Sequence, residues 1–197
     1  KSNKTNVWTL DNKKYLDMMC YVGQNTLGYN NPEIDNEVIK SIRLGNMTTL
    51  NSLEEIKLTE ELLKIHQWAD MAKFARSGGE ANALAIRIAR ASTGKDHVAI
   101  CGYHGWHDWY LSVNLKDKNS LNEHLLPGLE PLGVPLKLKN TTHAFTYGKI
   151  QELYKIIKKH DLAAVKMEVS RSSLPDINFL NEVRDLTAKK KIILIFD

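Results

Sequence analysis

Ser77-Gly78-Gly79-Glu80 sets a hydroxyl, two residues without Cβ and a carboxylate over four positions, a spacing that can start a helix and hold an anion. Ser77 and Glu80 stand in the relation of a capping box. The serine hydroxyl accepts the Glu80 amide and the glutamate reaches back to the Ser77 amide. The glycines remove side-chain bulk where helix amides point outward, and the helix dipole adds positive potential, so a phosphate group suits the place. A tight strand-to-helix turn without a ligand would use the same glycines, and this motif alone does not separate the two readings. The turn lacks both the Lys-Ser/Thr ending of a P-loop and the G-x-G-x-x-G spacing of a dinucleotide fold, so a different phosphorylated small molecule is indicated.

Other chemically capable residues follow apolar runs. Val98-Ala99-Ile100-Cys101 leads into Gly102-Tyr103-His104-Gly105, which delivers an aromatic ring to a strand end beside the glycine turn. Glu168 follows Leu162-Ala163-Ala164-Val165-Lys166-Met167, and Asp197 follows Ile192-Ile193-Leu194-Ile195-Phe196. An Asp at a strand end commonly caps a turn, so context decides its role. His104 and His107 are spaced as H-x-x-H, but no Cys or carboxylate completes a zinc set at structural-site spacing, and no metal site is expected. His104 reads as a pocket wall beside Tyr103, and Trp106 and Trp109 as packing or substrate-facing aromatics. There is no G-x-S-x-G hydrolase motif.

The elements that must position these residues alternate between strand and helix. A strand ending at Phe74-Ala75-Arg76 is expected before the glycine turn, then a helix over residues 78–91, with Leu84, Ile88 and Ala91 on one face and Gly94 as its stop. Helices are expected over residues 150–160 and 177–190, and strands over 98–101, 162–167 and 192–196. Upstream, Val7-Trp8-Thr9-Leu10 and Lys14-Tyr15-Leu16-Asp17 suggest a hairpin. Asn31 and Pro32 open a helix running to Gly45, and Ser52-x-x-Glu55 opens another to about His66. Residues 116–148, with Pro127, Pro131 and Pro135, read as one long functional loop. The alternation argues for a mainly parallel sheet covered on both faces, with ligands at the carboxyl ends of the strands.

Composition narrows the class without naming a chemistry. The 197 residues carry a net charge of +4, but the lysines are spread along the chain, which weighs against nucleic acid as a partner. No apolar run approaches the roughly 20 residues of a membrane span, and residues 1–6 lack the apolar core of a signal peptide. Cys20 and Cys101 are too few for a disulfide scaffold and suit a reducing cytoplasm.

Taken together, Arg76-Ser77-Gly78-Gly79-Glu80-Ala81-Asn82, Thr93-Gly94-Lys95-Asp96 and Tyr103-His104-Gly105 resemble class III, fold type I enzymes dependent on pyridoxal 5′-phosphate (PLP). The nearest branch is similar to glutamate-1-semialdehyde aminomutases and related aminotransferases. Lys14-Tyr15-Leu16-Asp17, Leu27-Gly28-Tyr29-Asn30-Asn31-Pro32-Glu33 and the run into Asp197 extend the likeness over the chain. The resemblance implies a three-layer αβα sandwich with a small amino-terminal subdomain, residues 1–50 forming the latter and 51–197 part of the PLP-binding large domain. It implies a homodimer acting on a small amine and a carbonyl compound. Asp197 would face the pyridinium nitrogen, Tyr103 the ring, and Ser77, Gly78, Gly79 and the Glu80 amide the phosphate, with His104 and Glu168 nearby.

Several positions depart from that pattern. Related enzymes usually carry Ser or Thr where Gly79 stands, and Pro where Val169 follows Glu168. Tyr21-Val22 replace the Ser-Trp pair that precedes the position of Gly23 in the aminomutases, so a different substrate is expected. The family's Schiff-base lysine lies downstream of the Asp197 position, and Lys166 does not match it. The chain therefore reads as an amino-terminal piece of a longer enzyme, without turnover of its own. A non-catalytic relative, or an α/β module binding a nucleotide or sugar phosphate, are the rival readings.

Overall fold

The computed structural model describes residues 1–45, 48–122, 124, 130–170 and 173–197. The chain divides into two units, Lys1–Ala72 and Lys73–Asp197. In the first, β1 (Ser2–Asn3), β2 (Asn6–Trp8) and β3 (Lys14–Leu16) form an antiparallel sheet that contains the expected hairpin. Helices α1 (Pro32–Leu44) and α2 (Leu53–Ile65) start where the sequence places them. Asn31 accepts the Glu33 amide, Ser52 accepts the Glu55 amide, and Pro32 occupies the first turn, where its missing N–H costs nothing. Ile34, Val38, Ile39 and Ile42 of α1 remain exposed.

The second unit holds the larger core. Helix α3 (Gly78–Thr93) leads to β4 (His97–Cys101) and the short α4 (Asp108–Leu111). Then come β5 (Thr142–Ala144), α5 (Ile150–Lys159), β6 (Leu162–Met167), α6 (Ile177–Lys190) and β7 (Ile193–Phe196). The strands form a sheet in the order β5-β4-β6-β7, and every pairing is parallel. Successive side chains of a strand point to opposite faces, so this sheet builds two cores. Val98, Ile100 and Ala164 pack with Ile86 and Ala89 of α3 and with Trp109 and Tyr110. Ala99, Cys101, Val165 and Met167 pack with Leu153 of α5 and with Phe179 and Val183 of α6. Each fully buried Val or Ile contributes about 1.5–3 kcal/mol. The near-continuous apolar strands follow from burial on both faces. No helix of the described residues is long and apolar enough to cross a membrane.

Three expectations fail. Residues 71–75 form no strand, because the described part of the sheet offers them no hydrogen-bonded neighbour. The buried face of α3 is Asn82, Ile86 and Ala89, while Ile88 is 55% exposed. The inner face carries polar Asn82 beside Ile86 and Ala89, while apolar Ile88 and Ala91 are exposed, so apolar periodicity pointed to the wrong side. The stretch 116–148 is not one loop. It contains edge strand β5, whose Thr-His-Ala carries no apolar alternation, and a 3₁₀ turn at Leu136–Leu138. Pro127 lies outside the described residues.

Candidate active site

The glycine turn is built as a helix cap, with one exchange of partners. The Glu80 amide donates to the Ser77 hydroxyl at 3.2 Å, but the Glu80 carboxylate accepts from the Arg76 amide at 2.9 Å, not from Ser77. Ser77 is extended (φ −144°, ψ 160°), which directs the chain into the helix from outside its axis. At the other end Gly94 takes the left-handed conformation, as its lack of Cβ permits.

Gly79 and Gly105 let two backbone segments meet. A Cβ on Gly105 would lie 3.2 Å from the Gly79 Cα, and one on Gly79 would fall 2.7 Å from Cε1 of His107. The loop after β4 therefore rests directly on the first turn of α3. Nothing lies within 4 Å of a Cβ built on Gly78. Gly79→Ser is expected to cost about 1–3 kcal/mol by overpacking against His107. Gly78→Ser should lower stability less, and chemical denaturation of both variants checks the order.

Asp197 lies at the centre of the polar contacts. Its amide donates to the Met167 carbonyl at 2.9 Å and that of Glu168 donates to Cys101 at 3.0 Å, so both acids continue the sheet ladder at adjoining carboxyl ends. Three donors converge on Oδ2 of Asp197: His104 Nδ1 at 2.7 Å, Asn82 Nδ2 at 3.0 Å and Lys166 Nζ at 3.0 Å. A carboxylate only accepts, so the Nδ1 of His104 carries the proton. Among the described residues no donor reaches Oδ1. Burial alone would raise the Asp197 pKa, but the hydrogen bond from His104 and the Lys166 ammonium outweigh it and hold the carboxyl well below the usual range. The same burial lowers the pKa of Lys166, and the attraction of Asp197 pulls the other way.

His104 is no pocket wall. It is 1% exposed, its ring nearly parallel to that of Trp109 in an offset stack, and it packs edge-on to Tyr110 beside Asp197. The loop turns inward after Gly102, which brings the ring under the sheet end. Tyr103 is half-buried and meets Tyr110 edge to face. Trp109 is core, whereas Trp106 is exposed and lies over His107. Gly102, at φ +111°, is held from both sides: its amide donates to His124 Nδ1 at 3.1 Å and its carbonyl accepts the Tyr110 hydroxyl at 2.8 Å. A Cβ there would strike the Glu168 carboxylate.

Sequence reasoning missed the positioning roles of Asn82, Lys166, His124 and Tyr110. Only Lys166 carried a signal, as a charge inside an otherwise apolar strand, which requires a buried partner. His104 and His107 form no metal-ligand group among the described residues.

A capped glycine turn, an aromatic loop and a carboxylate held ionised are together suited to a ligand with an anionic end and a cationic ring. The chain is 30% identical over 197 residues to a 3-aminobutyryl-CoA aminotransferase of Cloacimonas acidaminovorans, covering 95% of this chain and 44% of that protein. It is 31% identical to a glutamate-1-semialdehyde 2,1-aminomutase of Methanobrevibacter smithii, covering 100% of this chain and 47% of the relative. The solved PLP internal aldimine form of the Sphingopyxis sp. MTA144 FumI protein superposes with a TM-score of 0.83 at 26% identity, over 100% of this chain and 46% of that one. The chain thus spans less than half the length of the proteins it matches. The sequence profile of the Aminotransferase class-III family matches residues 1–197 throughout, and the chain belongs to that family.

Proposed function

We propose that the full-length protein catalyses PLP-dependent amino-group transfer between a small amine and a carbonyl compound, as an aminotransferase or aminomutase. The observation that carries this reading is the Asp197 carboxylate, ionised by His104, Asn82 and Lys166 on one oxygen while the other stays free for a donor. A pyridinium N–H is such a donor, and its positive charge matches the anion. The residues therefore fit PLP. When bound, PLP supplies an electron sink for charge that develops at the substrate's Cα.

The chain's own residues do the holding. Asp197 would keep a proton on the ring nitrogen, and His104, its ring buried, fixes the carboxylate through a hydrogen bond of 2.7 Å. Asn82 ties Asp197 to the first turns of α3 and also donates to the His104 carbonyl at 3.2 Å, coupling the nitrogen and phosphate ends of the site. The amides at Ser77, Gly78 and Gly79 would hold the phosphate; the Glu80 amide, expected to join them, is taken up by the Ser77 hydroxyl. Where related enzymes usually place a hydroxyl at the Gly79 position, the His107 ring fills the space here, so backbone donors carry that contact. Tyr103 would lie against the ring face, with Glu168 close by. Lys166 is committed to Asp197, so the lysine that anchors PLP belongs outside these residues. Residues 1–50 would then be an amino-terminal subdomain and 51–197 part of the large domain of a cytoplasmic homodimer, with no nucleic-acid or membrane partner.

PLP titration of the full-length protein tests this reading. An absorption band at the edge of the visible, weakened in Asp197→Ala, is expected. Phosphate binding without such a band, unchanged in Asp197→Ala, would instead indicate a module for a different phosphorylated molecule. A band with no amine-dependent bleaching would indicate a non-catalytic relative.

A further inference from the structure

At the opposite end of the same sheet, three histidines meet with no part in the site above. His97 opens β4, His143 is the middle residue of β5, and His160 caps α5 before the chain enters β6. Their approach follows from the fold. Ala99 pairs with His143 in parallel register, and although the ladder is irregular between His97 and Val98, the His97 ring reaches that of His143, with centroids 5.3 Å apart. The carboxyl end of α5 brings His160 over the strands. The Nδ1 of His97 lies 3.1 Å from Nε2 of His143, and the rings of His143 and His160 stack at 3.9 Å between centroids. One ligand nitrogen from each histidine lies within 4.8 Å of the other two.

We propose that His97, His143 and His160 bind a divalent transition-metal ion of the zinc class. Zinc accepts imidazole nitrogen at about 2.0–2.1 Å, which places tetrahedral ligands about 3.4 Å apart. The His97–His143 pair, at 3.1 Å, is close to that separation, and His160 closes the triangle by turning out of its stack on His143 so that its in-plane nitrogen meets the ion. Three imidazoles with no thiolate favour zinc, copper or nickel over calcium or magnesium, which take oxygen.

The fourth position has a chemistry of its own. His143 and His160 border a cavity of about 330 Å³ that is also lined by Lys116, Lys155 and Lys159. Three ammonium groups beside a dication would repel it unless an anion stands between them. The open coordination position therefore takes hydroxide or a small oxyanion, with the lysines facing it. The ion links β4, β5 and the α5–β6 connection, and it lies away from Glu168 and Asp197 at the carboxyl ends of the strands.

Calorimetric titration of chelator-treated full-length protein with zinc chloride, and with cobalt(II) chloride as a spectroscopic probe, tests the proposal. One ion per chain is expected, with visible d–d absorption of tetrahedral cobalt. His160→Ala and the double variant His97→Ala/His160→Ala should weaken zinc binding at least about 100-fold while the PLP band persists. His160 is partly exposed, and unchanged far-ultraviolet circular dichroism confirms that its variant folds. Sub-stoichiometric uptake, or equal zinc affinity in the folded variants, overturns the proposal. So does phosphate binding in the cavity with no zinc uptake. Because the readout is metal content and cobalt colour, failure here leaves the PLP reading untouched, and the reverse also holds.

Discussion

Asp197→Asn in the full-length protein is expected to lower kcat/KM for amino transfer by roughly 100-fold or more, the scale of losing one preorganised electrostatic group in a reaction centre. The amide carries no charge to hold the ring nitrogen protonated. The same substitution also acts on folding. Lys166 is 1% exposed, and its ammonium has Asp197 as its ion-pair partner. Removing one partner of a buried pair typically costs about 3–5 kcal/mol, whereas replacing both by apolar groups is often neutral. Lys166→Met on the Asp197→Asn background should therefore recover most of the stability lost in the single variant and none of the activity. A double-mutant cycle by chemical denaturation, run beside steady-state kinetics, separates the two roles. Lys166→Met alone should keep activity within a few-fold, since His104 and Asn82 still hold Asp197.

The pH dependence has a definite sign. The folded-state pKa of Asp197 lies below its ordinary value of 3.8, so its contribution to stability is complete above that value. It is lost as the pH falls through the depressed folded value. Acid unfolding monitored by circular dichroism should begin at lower pH in the double variant, which has no such contribution to lose as the pH falls.

Gly102→Ala is the second large effect. At φ +111° an L-residue is strained by about 1–3 kcal/mol. Its Cβ would also meet the Glu168 carboxylate, while hydrogen bonds to His124 and Tyr110 hold the backbone in place. Loss of about 3 kcal/mol or more, with weakened PLP affinity from displacement of Glu168, is expected. Gly148 supplies the control. It has φ +78° with nothing within 4 Å of a built Cβ, so Gly148→Ala reports strain alone and should cost only about 1–2 kcal/mol. Equal losses in the two variants would show that Glu168 moves freely and that contact with it is unimportant.

The motifs that were legible share a property: each is a local spacing with a local physical cause. Ser77 and Glu80, Asn31 and Pro32, Ser52 and Glu55 mark helix starts because the orphan amides they satisfy lie within four residues. The buried strands at 98–101 and 162–167 were legible because a sheet covered on both faces demands continuous apolar runs. Strand β5 was not, since its three residues Thr142, His143 and Ala144 carry no apolar run. The inner face of α3 was hidden because it includes polar Asn82, while apolar Ile88 is exposed.

By itself the sequence determined the helix starts at Pro32, Leu53 and Gly78, the capped glycine turn and the strand-end placement of Tyr103, Glu168 and Asp197. Tertiary structure alone decided the electrostatics of the site and the histidine cluster. Asn82, His104 and Lys166 lie 115, 93 and 31 positions before Asp197, yet all reach one carboxylate oxygen. His97, His143 and His160 come from two strands and a helix end. Contacts across such separations are set by strand order and register, which arise from the packing of whole layers, so no local pattern records them.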